Sequence, residues 1–207
     1  MALPRFLVRQ VGKPHGWFAP AIAWLLNRSN AIQNLEAVAA LQLNHGERVL
    51  DLGFGGGVAL DALLGATAGG CVFAIDPSRE MVARARRRHG AAVQSGALVV
   101  REGDAGSIPL ADATVDAALS VNTVYFWSDV QVGLGELRRV LRPGGRLCLG
   151  IATPEHCQRM GFHRHGLHVR SIDSYCGALS DAGFVEVEAR DAATTTHASL
   201  VRARVPA

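Results

Sequence analysis

Charge is scarce in this chain. Of its 207 residues, 19% are charged and 49% hydrophobic, and Lys13 is the only lysine. That balance excludes a disordered, tail-like protein and leaves room for a sheet buried on both faces. A formal charge of +3 falls short of the dense basic stripe of a nucleic-acid binder. The nearest approach, Arg84, Arg86, Arg87 and Arg88, lies in an expected helix and reads as a solvated face. Cys71, Cys148, Cys157 and Cys176 form no CxxC pair. Two of them fall in expected buried strands, so reduced core thiols and a cytoplasmic location are expected, with neither a disulfide framework nor a zinc site. No run of roughly 18 apolar residues occurs, and the opening Met-Ala-Leu-Pro-Arg shows no secretory pattern, so no membrane span is expected. The length suits one domain.

Two short amphipathic segments, at about 17–28 and 31–43, precede the first convincing strand. Asn30 can cap the second with Gln33 answering it, and Ile32, Leu35, Val38, Ala39 and Leu41 supply an apolar face. Residues 1–43 are thus expected as a helical cover belonging to the same domain as a core of residues 44–207. Whether that cover packs on the sheet edge or closes over a ligand is left open by the pattern.

From Glu47 the rhythm becomes strand, turn and helix. Arg48 to Leu52 reads as a strand, Gly53 to Gly57 as a turn, and Val58 to Leu64 as a helix. A second strand, Cys71 to Ile75, ends at Asp76-Pro77, and Ser78 can cap a helix running to about His89. Further strands are expected at Ala97 to Val100, Val115 to Ser120 and Leu147 to Ile151. Ser128 and Gln131 suit a capping box for a helix with Val130, Leu134, Leu137 and Leu141 on its apolar face. Gly133 and Gly135 should weaken that helix by ~0.5–1 kcal/mol each, and Pro143-Gly144-Gly145 should stop it. A helix from Ser171 to Ala182, capped by Gly183, leads to strands at Phe184 to Ala189 and His197 to Val205. Five parallel strands followed by an antiparallel pair make a doubly wound α/β sheet.

The chemistry concentrates at the strand ends. In Asp51-Leu52-Gly53-Phe54-Gly55-Gly56-Gly57, Gly53 suits a tight turn and Gly55 a close backbone approach to a ligand. The helix that follows offers unpaired amides to an anionic group. Asp76 ends the next strand, where a carboxylate can accept both hydroxyls of a ribose. Asp104, shortly after the third strand, can receive a hydrogen bond from an adenine amino group while the Ala105 backbone meets the ring. Three such groups at neighbouring strand ends suit one adenosine-sized ligand. No Gly-Lys-Ser or Gly-Lys-Thr follows the turn, which disfavours an NTPase loop. A dinucleotide enzyme fits the glycines, but the chain leaves little for a second catalytic domain.

These blocks resemble the class I methyltransferases that use S-adenosylmethionine. Val49 to Gly57, Val72 to Met81, Glu102 to Leu110 with Asp116, and Glu136 to Leu147 match that family's motifs in order, within a likeness running from about Leu43 to Ala189. The resemblance implies a Rossmann-like methyltransferase fold, a mostly parallel seven-stranded sheet with an antiparallel C-terminal strand. It also implies S-adenosyl-L-methionine held by Asp51, Gly53, Phe54, Gly55, Asp76, Pro77, Met81, Asp104, Ala105, Ser120 and Asn122. Gly56 stands where the family more often has cysteine, threonine or proline, a departure that costs rigidity.

The fourth strand runs into Asn122-Thr123-Val124-Tyr125-Phe126-Trp127, a stretch that in the family lies beside the transferred methyl. Asn122, Tyr125 and Trp127 are therefore candidates for the acceptor pocket, against the alternative that the aromatics simply pack the next helix. Asn-Pro-Pro-Tyr, the family's signature for many base methylators, is missing, which disfavours a nucleic-acid acceptor. His163 and His165, with Tyr125, are candidate proton acceptors, and His156 is a candidate for acceptor binding. Trp17, Phe18, Asn27, Arg28 and Asn34 can touch the acceptor from the cover. The expected function is methyl transfer to an oxygen, nitrogen or carbon of a largely apolar small molecule, by a monomer or homodimer. The alternatives are a non-catalytic scaffold on the same fold, an RNA methyltransferase and an NAD-linked dehydrogenase.

Overall fold

The computed structural model describes residues 31–160, 167, 169–193 and 197–207. Trp17, Phe18, Asn27, Arg28, Asn30, His163, His165 and His168 lie outside the described residues.

A seven-stranded sheet organises the chain. Its strands are β1 (Arg48–Leu52), β2 (Cys71–Asp76), β3 (Leu98–Glu102), β4 (Val115–Val121), β5 (Leu141–Ala152), β6 (Val185–Asp191) and β7 (Ala198–Arg204), in the spatial order β3-β2-β1-β4-β5-β7-β6. The five strands β1 to β5 pair parallel, whereas β7 is antiparallel to both its neighbours. The helices are α1 (31–40), α2 (Val58–Ala66), α3 (Arg79–Arg88), α4 (Gly90–Gln94), α5 (Val130–Val140), α6 (Pro154–Met160) and α7 (Ile172–Asp181). Among the described residues no helix is long and apolar enough to cross a membrane.

The two-sided burial follows from strand periodicity. Val49, Val72, Leu98, Leu119 and Cys148 face one way and pack with Ala37, Leu60, Leu63 and Met81 of α1, α2 and α3. Their neighbours Leu50, Phe73, Ala118 and Leu147 face the other way and meet Leu134 and Leu137 of α5 and Tyr175 and Leu179 of α7. Because β1 lies between β2 and β4, the chain winds outward from β1 and then crosses back. That reversal opens a crevice beyond the carboxyl ends of β1 and β4.

Several local expectations are corrected. The cap of α5 is Asp129, whose carboxylate accepts the amides of Gln131 and Val132, rather than Ser128. Leu141 belongs to β5 rather than to that helix: it pairs with Val115, and Pro143-Gly144-Gly145 bulge out before Arg146 rejoins opposite Ala117. On α1 the buried side carries Gln33, Ala37 and Val38, continued by Leu41 just past its end, whereas Ile32 and Leu35 are 54% and 51% exposed. Gln33 Oε1 accepts Asn122 Nδ2 at the end of β4, and the expected capping box with Asn30 lies outside the described residues. The last strand inserts between β5 and β6, because its apolar residues are buried on both faces while β6 is exposed along nearly its whole length.

Candidate functional site

At the end of β1 the chain turns through Gly53 (φ 76°), Gly55 (φ 52°) and Gly57 (φ 76°). Gly53 is demanded twice over, since its backbone is left-handed and a Cβ would lie 2.5 Å from Thr123 Cγ2. Thr123 is itself set by Ser120, whose hydroxyl pairs with the Thr123 hydroxyl and donates to Leu52 O at 2.7 Å. Gly57 starts α2 without a side-chain cap, leaving that end of the helix to bind through its backbone.

Two backbone amides draw Asp76 to the rim of this turn: Gly55 N donates to Oδ2 at 2.8 Å and Ser78 N to Oδ1 at 2.9 Å. Asp51 stands one strand away, 3% exposed, with its Oδ2 buried and without a hydrogen-bond partner. Burial first, and the nearby Asp76 carboxylate second, push the Asp51 carboxyl up to about 8. An unpaired buried oxygen beside a second carboxylate makes a receptor for a cation such as an ammonium group.

After β3, Gly103 N donates to Asp76 O at 3.2 Å, joining this turn to the end of β2. Asp104 is exposed and accepts Gly106 N at 2.8 Å through Oδ1. Ala105 is buried beside it and Pro77 is half-buried. Asp51, Asp76 and Asp104 therefore stand at the carboxyl ends of β1, β2 and β3. The side chains of Phe54 and Met81 do not belong with them: both are buried in the core under α1 to α3. Runs that alternate glycine with an apolar residue tell nothing about which way that apolar side chain points.

On the acceptor side, Asn122 holds a left-handed backbone (φ 57°), with its amide bonded to Gly150 O at 2.8 Å. Its Nδ2 donates to Gln33 Oε1 at 2.8 Å, and Tyr125 OH donates to its Oδ1 at 3.3 Å. Tyr125 is 2% exposed, and its phenol oxygen also takes the Ala152 amide. Burial, then the neighbouring Cys157, hold that phenol well above its ordinary range. Tyr125 thus keeps its proton, and its expected role as a proton acceptor is corrected to that of a group positioning Asn122.

Trp127 is also corrected. Its indole is buried against α5, where a Cβ on Gly133 would come within 2.5 Å of the ring. Asn34 is half-buried on α1. His156, on α6, stacks on His197 at 5.3 Å with Nδ1 buried and unpaired. Burial, His197 and Arg159 all lower its pKa, so the ring is neutral at pH 7. Gln33 and Thr123 escaped sequence reasoning as site residues, because each acts through a partner distant in sequence or through a steric fit to glycine.

The family described as a methyltransferase domain matches residues 50–149. A 27-O-demethylrifamycin SV methyltransferase of Amycolatopsis mediterranei (strain S699) is 30% identical over 201 residues, covering 91% of this chain and 72% of that protein. The O-methyltransferase resE of Aspergillus sclerotiorum is 28% identical over 142 residues, 68% of this chain and 53% of its own. Against the first curated relatives it matches, the chain spans between 32% and 53% of their length. Among solved structures, a SAM-dependent methyltransferase from Aquifex aeolicus superposes with a TM-score of 0.73 at 23% identity, over 98% of this chain and 99% of that one, a likeness of fold.

Proposed function

The chain belongs to the class I S-adenosylmethionine-dependent methyltransferases, and from that premise we propose that it transfers the sulfonium methyl group to a largely apolar small molecule by direct in-line displacement. The observation that carries the reading is the buried, unpartnered Asp51 Oδ2 next to the glycine turn and Asp76. S-adenosylmethionine, when bound, supplies an activated methyl whose thioether leaves as a neutral group. The residues fit it. Asp51 takes the ammonium end, Gly53 and Gly55 let the methionine portion lie against the backbone, and Asp104 with Ala105 flanks the adenine. Asp76 takes the ribose, its carboxylate already oriented at the rim of the turn by the Gly55 and Ser78 amides.

Catalysis in this reading is chiefly positional. Asn122, fixed by Gln33, Tyr125 and the Gly150 carbonyl, borders the space in which the acceptor atom lies behind the methyl carbon. In this reading His156, uncharged at neutral pH, contributes to acceptor binding. The activities for which two relatives are named, O-methylation and methylation of a 27-O-demethylated rifamycin, support oxygen as the accepting atom. A monomer or homodimer in the cytoplasm completes the reading.

The test is calorimetric and isotopic. S-adenosylhomocysteine should bind and NADH should not, and Asp76→Ala should weaken that binding by ~2–3 kcal/mol through loss of two charge-assisted bonds. Methyl-labelled cofactor incubated with a cell extract should label the organic-soluble fraction. Label found only in RNA or protein would refute the small-molecule acceptor.

A further inference from the structure

The acceptor side contains a hydrogen-bond chain with one open end. Ala152 N donates to the Tyr125 phenol oxygen, and the phenol O–H reaches both Asn122 Oδ1 at 3.3 Å and Ala152 O at 3.4 Å. With its oxygen so used, Asn122 presents Nδ2 to Gln33 Oε1 at 2.8 Å. Gln33 is left with its Nε2 as the end of the chain. That nitrogen is buried without a partner in a side chain 5% exposed.

A buried amide donor without an acceptor is costly and uncommon. This one is also held by its neighbours Asn122 and Gly150. It lies over Gly150, where a Cβ would come 3.1 Å from Nε2 and 3.0 Å from Val121. Asn122 adopts the left-handed backbone (φ 57°) that asparagine tolerates better than most residues, with its side-chain amide on Gln33. The segment carrying Asn122 continues directly into Thr123, which rests on Gly53 of the cofactor turn. Gln33 thus reaches the carboxyl ends of β4 and β5 from α1, beside the place where the acceptor must sit.

We propose that Gln33 is a specificity-determining residue whose Nε2 donates a hydrogen bond to an oxygen of the methyl acceptor. The acceptor class is then narrowed to small molecules that carry a carbonyl or comparable hydrogen-bond-accepting oxygen near the atom to be methylated. The inference rests on the methyl-transfer reading given above and deepens it. A site built to satisfy one polar atom rejects analogues lacking that atom, because its own group is otherwise left unpaired.

Two probes of nearly the same shape test it: 1-(2-hydroxyphenyl)ethanone, whose carbonyl oxygen lies beside its phenolic hydroxyl, and 2-ethylphenol, which lacks that oxygen. With S-adenosylhomocysteine bound, the wild-type protein should bind the first about tenfold more tightly than the second. Gln33→Met should abolish that preference without changing the affinity for S-adenosylhomocysteine. Independently of any variant, the side-chain amide resonance of Gln33 in the wild-type protein should shift with the first probe and not with the second. Equal binding of the two, binding of neither, a preference for the second, a preference that survives in folded Gln33→Met, or an unmoved Gln33 resonance would each overturn the inference. If any of these occurs while S-adenosylhomocysteine still binds, only Gln33's role fails; loss of S-adenosylhomocysteine binding by the wild-type protein would refute the methyl-transfer reading itself.

Discussion

Replacing Asp51 with asparagine should stabilise the ligand-free protein while weakening its hold on the cofactor. The carboxyl is buried at the end of β1, with Oδ2 unpaired and Asp76 nearby, and titrates at about 8 against an ordinary 3.8. Below pH 4 it is protonated whether the chain is folded or not, and contributes no difference. Between about 4 and 8 the folded state holds a proton that the unfolded state has lost, so stability falls by about 1.4 kcal/mol per pH unit. The penalty reaches about 4 kcal/mol at pH 7 and levels off above pH 8. Asparagine has the same shape and cannot ionise, so it escapes this cost. Urea denaturation of both proteins from pH 5 to 8.5, without ligand, should show Asp51→Asn gaining on the wild type as pH rises, with the curves meeting toward pH 4. Cofactor capture should show the converse. An ammonium group beside Asp51 favours the carboxylate, so binding at pH 7 should release about 0.9 proton, given a free-state value of about 8. Calorimetry in two buffers of different ionisation enthalpy reads that release. In Asp51→Asn it should vanish, and affinity should fall by ~1.5–3 kcal/mol. Parallel stability curves, or proton release unchanged by the substitution, would refute the assignment.

The glycines offer sharper steric tests. Gly53→Ala should destabilise the fold by ~1–3 kcal/mol, because the residue is left-handed and its new methyl meets Thr123 Cγ2. Adding Thr123→Ser, which removes that methyl and keeps the hydroxyl, should recover part of the loss in thermal denaturation; no recovery would place the whole cost in the backbone. Gly133→Ala and Gly135→Ala should move stability in opposite directions. The first drives a methyl into the Trp127 ring, while the second meets nothing within 4 Å on the exposed side of α5. Expected changes are a loss of ~1–3 kcal/mol and a gain of ~0.5–1 kcal/mol, and a gain in both would show that Trp127 yields freely.

Much of the cofactor side was legible in the sequence because its parts are local. Asp51 and Gly53 to Gly57 are consecutive, Asp76 ends a strand whose apolar run stops there, and Asp104 follows another by two residues. A strand that stops in glycine or aspartate announces its own turn, and parallel pairing brings successive strand ends to one edge. The acceptor side was less legible. Nothing near residue 33 signals that its amide meets Asn122, 89 residues away. The aromatic run from Tyr125 to Trp127 could equally line a pocket or pack a helix, and the close fit of Trp127 on Gly133 decided for packing. The same applies to α1, where period alone offered Ile32 and Leu35 as core and the docking of Gln33 over Gly150 turned them outward. Chain order and hydrophobic period determine which residues form strands and where each ends, since both act over a few residues. Which side chains face one another across the carboxyl ends of β4 and β5 is decided only when distant segments compete for the same buried space and the same hydrogen bonds.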